Sequence, residues 1–315
     1  MTKGLHRPYY RHRPDILEAR LTAFERNTDL FSEGNFATRA IALDSIQQIY
    51  QLLHLYQRDA QWGRHLKTLR QQAKALEVRL RQADEVFFQT LRGQIRSGGH
   101  SAATLRQLFD RHTRYRPGRL GQVHRGYDAL DALLHGLLRA EQAPATVQRH
   151  DVEMILYEPT PARAILDLVD QVPLNADDVF YDLGAGLGHV AILVHLLTGA
   201  RARGVEIETA YCEHARRCAK ELGLSQVHVV NRDARNVDYT DGTVFFMYTP
   251  FTGTLLDTVL ATLSRVARHH PITLCTHGAC TFEMARQTWL RQHHPGSEHA
   301  YALGVFNSLP RPDIA

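Results

Sequence analysis

"VFYDLGAGLGHVAILV", Val179–Val194, sets apolar and aromatic residues around one aspartate, then three alternating glycines, then an apolar run. The pattern predicts a buried strand, a tight turn and a helix, the arrangement in which α/β proteins hold a nucleotide at a strand's carboxyl end. A dinucleotide fingerprint would read G-x-G-x-x-G. Here Gly184, Gly186 and Gly188 read G-x-G-x-G, with Asp182 two residues ahead of the first glycine. Pyrophosphate is best served by bare amides at a helix N-terminus. A carboxylate at the strand end instead favours a ligand carrying an ammonium or a sulfonium, and the glycines let the backbone approach that ligand without a Cβ clash.

Two further acids stand in register. "RGVEI" ends near Glu206, 18 residues after Gly188, where a carboxylate can take two ribose hydroxyls. "VVNRDARNV" puts Asp233 just past the third strand, where it can accept from an adenine amino group. Acids ending three successive strands share one crevice at the switch point of a parallel sheet. Their common ligand is expected to be S-adenosylmethionine, which carries both an ammonium and a sulfonium.

The rest of the back half supports such a sheet. "DVFYDL", "ARGVEI", "VHVVN", "TVFFMY" and "PITLCTH" are strand-like, and helical stretches separate most of them. That alternation predicts right-handed βαβ units. "EHAYALGVFNSLP", residues 298–310, leaves little room for a closing hairpin, so the sheet is expected to be shortened at that end. The front half reads differently. Leu66, Leu69, Ala73, Leu76, Leu80, Ala83 and Phe87 alternate at steps of three and four, an a/d seam on a long helix. Gly98–Gly99 should stop it, and Ser101 is placed to cap the next helix. The architecture expected is an all-α N-terminal domain, residues 1–148, before a Rossmann-like domain, residues 149–315.

Charge divides the chain similarly. Residues 1–150 hold 24 Lys and Arg against 14 Asp and Glu, and the remainder holds 13 against 19. "HRPYYRHRP" interleaves Arg7, Arg11 and Arg13 with Tyr9 and Tyr10, and "RHTRYRPGR" presents Arg111, Arg114, Arg116 and Arg119. Such clusters suit an anionic partner, either nucleic acid, a ribonucleoprotein or an acidic protein. The helical domain is therefore expected to recognise the substrate and to be separable from cofactor binding. The first twenty residues lack the apolar core of a signal peptide, and the longest apolar run, "VAILVHLL", is too short for a bilayer. Four cysteines give no disulfide framework, so a reducing cytoplasm and no membrane partner are expected.

At this point the chain resembles the class I, seven-stranded methyltransferases, with "DLGAGLG", "GVEIE", "NRDA" and "FFMYTPF" as their successive motifs. "YEPTP", about 22 residues ahead of "DLGAGLG", is similar to the Tyr-Gly-Glu-Thr loop of the non-SET histone-lysine methyltransferases related to the telomeric-silencing disruptor. The mitochondrial lysine methyltransferases that modify the ATP-synthase c-subunit show a similar loop and turn. The histone enzymes carry asparagines where this chain has Met247 and Tyr248.

Methyl transfer needs chiefly alignment and exclusion of water. Tyr248 and Phe251 of "YTPF" are expected to wall a channel, and their rings attract a cationic amine. Tyr157, Glu158 and Thr160 are expected to cover the cofactor, with Glu158 orienting the amine. His277 is expected to be structural, and Cys275, His277 and Cys280 are too few for a zinc site. Absence of an obvious general base favours a lysine nitrogen over an oxygen nucleophile. Amino groups of RNA or DNA are the alternative acceptors, and a cofactor-binding module without catalysis is the other reading.

Overall fold

The computed structural model describes residues 14–55, 63–113, 126–140, 144, 151–293 and 299–310. Chain contacts divide it into two compact units, Met1–Phe88 and Gln89–Ala315. The sequence places the domain boundary at residues 143–152, where the hydrophobic period changes, whereas the compact units meet inside a long helix.

The first unit is built from α1 (Pro14–Arg26), α2 (Phe36–Leu55) and most of α3 (Gly63–Arg96). Leu17, Leu21, Ile46, Ile49 and Leu53 close a core with the α3 residues Leu66, Leu69, Ala73, Leu76 and Leu80. The predicted seam holds to Leu80 and resumes at Phe87, but Ala83 is only half-buried and its neighbour Asp84 is buried instead. Asp84 Oδ1 accepts from Nε of the fully buried Arg39 at 2.6 Å. Arg39 also donates Nη1 to the carbonyl of Leu30 at 3.0 Å. Buried charges persist only when so paired.

In the second unit α4 (Ala102–Thr113) starts at Ser101, whose hydroxyl accepts from the Thr104 amide at 3.2 Å. Then follow α5 (Ala129–Leu137), α6 (Ala162–Gln171), β1 (Val179–Leu183), α7 (His189–Thr198), β2 (Arg201–Glu206) and α8 (Thr209–Glu221). The chain continues through β3 (Val227–Asn231), β4 (Val244–Tyr248), α9 (Gly253–Val266), β5 (Thr273–His277), α10 (Cys280–Ala285), β6 (Leu290–Gln292) and β7 (Gly304–Ser308). The strands form one sheet in the order β3-β2-β1-β4-β5-β7-β6. β1 to β5 are parallel, while β7 runs antiparallel to both β5 and β6.

The expected shortening of the sheet is thus corrected: β6 and β7 are both present and the sheet has seven strands. β6 is only three residues, "LRQ", with an exposed arginine at its centre, so neither its length nor its alternation announces a strand.

Each face of the sheet has its own cover. Val179, Tyr181, Leu183, Phe245 and Met247 pack against Leu255, Val259 and Leu263 of α9. α7 contacts β1 and β2, and α4 and α6 in turn contact α7. α4 and α5, assigned by their helical period to the front domain, therefore belong to the α/β unit. Chain order turns back between β1 and β4, so a crevice opens at the carboxyl ends of these strands.

Candidate active site

A cleft of about 310 Å³ lies there, and the predicted residues Tyr157, Glu158, Thr160, Asp182, Gly184, Glu206, Asp233, Tyr248 and Phe251 all line it. Gly186 and Gly188 shape the same turn through positive φ angles of 51° and 80°.

Asp182 is the fourth of the five buried residues of β1. It is 3% exposed and its Oδ2 has no hydrogen-bond partner among the described residues. Burial, and then the Glu206 charge, push its carboxyl up to about 8. An orphaned buried carboxyl in a cleft is costly unless a ligand partners it. Glu206 ends β2 and is held on both oxygens: Oε2 accepts from the Gly186 amide and Oε1 from the Glu208 amide, each at 2.8 Å. Burial raises its pKa and those amides oppose the rise.

Asp233 follows β3, and its carboxylate accepts from Arg235, with Nη2 to Oδ2 at 2.6 Å and Nε to Oδ1 at 3.0 Å. The Arg235 hydrogen bond holds its pKa below the usual carboxylate range. Arg235 carried no signal in the sequence reading, since an arginine two residues past an acid reads as a solvated charge.

The glycines do more than clear space for a ligand. A Cβ on Gly184 would overlap Pro250, and one on Gly186 would overlap the Tyr157 ring. Tyr157 also hydrogen-bonds His189 Nδ1 through its hydroxyl at 3.2 Å and packs on Tyr211 at 5.1 Å between ring centroids. His189, the first residue of α7, is buried, and desolvation lowers its pKa to about 3, so it is neutral. Its place directly after Gly188 was the available signal for it.

The loop after β4 is strained at Thr249, which has φ of 37°. That is costly for a β-branched residue and survives only where neighbours impose it. Thr249 Oγ1 accepts from the Cys280 amide at 3.1 Å and donates to the His277 carbonyl at 3.3 Å. Of the two rings expected to wall the channel, Phe251 is 5% exposed and anchored in the core with Leu255 and Leu256. Tyr248 is half-buried, and its ring lies 4.9 Å from that of His277. His277 is buried at the end of β5.

Two anchors hold the loop that carries Tyr157 and Glu158. At its start the Glu153 carboxylate accepts from the amides of Thr254 and Leu255 at 3.1 and 2.8 Å, and the Ile155 amide donates to the Pro250 carbonyl. At its end Asp131 of α5 accepts from the Ala162 amide at 2.7 Å, and Asp128 pairs with Arg163. Between them the Tyr127 hydroxyl donates to Glu158 Oε1 at 3.2 Å and to the Pro159 carbonyl at 2.9 Å. Tyr127, Asp128 and Asp131 come from the stretch the sequence reading assigned to the front domain, about 30 residues ahead of their partners, with no local pattern to reveal them.

Residues 154–243 match the sequence profile of the family described as histone methylation protein DOT1. The match runs from the Met154 loop through β1, the glycine turn, β2 and β3. The chain has the seven-stranded sheet of the class I S-adenosylmethionine-dependent methyltransferases.

The profile match ends one residue before β4, so the Tyr248–Phe251 loop lies outside it. No curated protein matches the chain in sequence. Among solved structures it is similar to an RNA methyltransferase from Salinibacter ruber in complex with S-adenosyl-L-homocysteine, at 23% identity and a TM-score of 0.39 over 49% of this chain and 95% of that one. A SAM-dependent methyltransferase from Aquifex aeolicus aligns at 17% identity and TM-score 0.38, over 45% and 88% of the two chains. A precorrin-6y C5,15-methyltransferase from Geobacter metallireducens aligns at 17% and 0.37, over 52% and 94%. Among the described residues no helix is long and apolar enough to cross a membrane.

Proposed function

We propose that this methyltransferase N-methylates lysine side chains of a protein. The observation that carries the reading is the meeting of Glu158 with the phenols of Tyr127 and Tyr248 at the cleft: burial, and then the Glu158 charge, raise both phenols. Phenols so raised stay protonated and donate hydrogen bonds, so none of them is a base for an oxygen nucleophile.

When bound, S-adenosylmethionine supplies a methyl group already activated by its sulfonium. Asp182 would hold the ammonium of its amino-acid tail through the orphaned oxygen. Glu206, which fixes the glycine turn, would take the ribose hydroxyls, and Asp233, steadied by Arg235, would accept from the adenine amino group. Tyr157 and Thr160 would cover the cofactor, and Gly184, Gly186 and Gly188 leave room for Pro250 and Tyr157 to close over the turn. Glu158, with Oε1 held by Tyr127, would orient the amine. Tyr248 shields the approach from water, and desolvation there lowers the amine's pKa toward the free base that attacks. Phe251 supports the wall from the core.

The DOT1 profile match supports lysine as the acceptor, and a histone is one protein substrate consistent with it. The basic front half favours a second reading, amino groups of RNA or DNA. Tyr9, Tyr10, Arg7, Arg11, Arg13, Arg114, Arg116 and Arg119, which would carry it, lie outside the described residues, while Arg111 is exposed in the last turn of α4. A soluble lysate incubated with enzyme and methyl-labelled cofactor separates the two. Label is expected to be lost on protease treatment and to survive nuclease; the reverse pattern would replace lysine with a nucleic-acid acceptor.

A further inference from the structure

Two tyrosines from distant parts of the chain meet the Glu158 carboxylate, and a third, Tyr301, lines the same cleft beside Tyr248. Tyr127 precedes α5, Tyr248 ends β4, and Tyr301 lies in the segment leading into β7. Tyr127 donates to Glu158 Oε1, and Glu158 and Tyr301 are, after burial, the main influences on the Tyr248 phenol. Tyr248 and Tyr301 share His277 between them, at ring-centroid distances of 4.9 and 5.9 Å. Tyr127 and Tyr301 are each more than two-fifths exposed, so their rings are open to a ligand while Tyr248 backs them. Large exposed aromatics around an exposed carboxylate are not explained by packing.

We infer that Tyr127, Tyr248 and Tyr301 form, with Glu158, a receptor for a cationic amine at the cleft mouth, in which Tyr127 is a positioning residue that sets Glu158. The inference rests on the lysine reading and deepens it by naming charge as what the mouth selects. Ring faces attract a cation, and the carboxylate adds a charge that a phosphate-bearing nucleotide would oppose. Stacking alone would serve a nucleobase as well, so the carboxylate decides between them. Tyr127 does not touch the methyl group; its hydroxyl bridges Glu158 Oε1 and the Pro159 carbonyl and so fixes how the carboxylate is turned.

Choline and its neutral isostere 3,3-dimethylbutan-1-ol provide the test, titrated into the full-length protein saturated with S-adenosyl-L-homocysteine. Choline is expected to bind roughly tenfold more tightly than the isostere. Tyr301→Leu should weaken choline several-fold and leave the isostere unchanged. Tyr127→Phe, which keeps the ring, should leave choline nearly unchanged and raise the acceptor KM more than it lowers kcat, while Tyr127→Leu weakens choline as well. Equal binding of the two probes, no binding of either, or tighter binding of cytidine monophosphate than of choline would overturn the receptor. Each of those results leaves lysine methylation to stand or fall on the label-transfer experiment, which does not depend on the probes.

Discussion

The Tyr157 ring lies so close to Gly186 that a Cβ on that glycine would overlap it. The Tyr157 loop and the glycine turn are therefore one packed unit, and Glu206 pins the turn through the Gly186 amide at 2.8 Å.

Gly186→Ala should accordingly do two kinds of damage. Alanine at φ of 51° carries a backbone cost of about 1–3 kcal/mol, and its methyl group displaces Tyr157. Thermal unfolding should fall by several degrees, and calorimetric titration with S-adenosyl-L-homocysteine should show affinity lost by more than the stability change explains. Tyr157→Ala, which removes the obstacle, should restore part of the stability of Gly186→Ala.

Asp182 is expected to make cofactor binding sensitive to pH. Its carboxyl, at about 8 in the free protein, holds a proton that the unfolded chain has released, since an unperturbed aspartate titrates near about 3.9. Stability contributed at this site is thus greatest at low pH and falls as pH rises from about 4 to 8. A cation seated against Asp182 favours the ionised form, so binding expels the proton and tightens as pH climbs toward about 8. At still higher pH the ligand's own ammonium, held more basic than a chain N-terminus by its neighbouring carboxylate, loses its charge. Affinity for S-adenosyl-L-homocysteine should therefore rise with pH up to about 8 and fall again in more alkaline solution. Asp182→Asn should abolish the rising limb and weaken binding at its peak by about 1–3 kcal/mol. The same variant should melt higher than the parent at pH 8 and show a smaller difference at pH 5.

The Asp131 carboxylate caps the start of α6 from a helix on the far side of the loop, accepting from the amides of Ala162 and Asp128 at 2.7 Å each. Asp131→Ala leaves both amides unpaired and should cost about 1–3 kcal/mol, read by chemical denaturation. Deleting residues 1–145 removes this cap together with Tyr127 and Asp128. The sequence reading expected such a truncation to keep cofactor binding. The structure leads to the opposite expectation, a back half that loses cofactor affinity even where it stays soluble.

Arg39 and Asp84 form a buried pair within the helical unit. Asp84→Ala strands the guanidinium and should destabilise that unit by about 3–5 kcal/mol, monitored by circular dichroism. Cofactor affinity, measured in parallel, reports whether the two units unfold together.

Much of this was legible in the sequence because the signals were local. Five strands fell where short β-rich runs put them, and Asp182, Glu206 and Asp233 line one cleft because each lies at or just past the carboxyl end of a strand. Tyr127, Asp131 and Tyr301 were not found. Each lies in a segment whose local pattern is helix or turn, and each reaches the site only through tertiary packing. Asp84 shows the same limit inside a helix: the a/d period selects Ala83, but Arg39 on a different helix draws the neighbouring carboxylate inward. β6 was missed because three residues centred on an exposed arginine carry too little alternation to register.

The most direct measurement is the chemical identity of the methylated residue. A lysate incubated with the enzyme and methyl-labelled S-adenosylmethionine is hydrolysed completely, and the labelled products are separated as amino acids and nucleosides. Label is expected in Nε-methylated lysine, and it should be lost with Glu158→Ala and with Asp182→Ala. Label recovered as a methylated nucleoside, or in lysine at equal yield from both variants, would contradict the account.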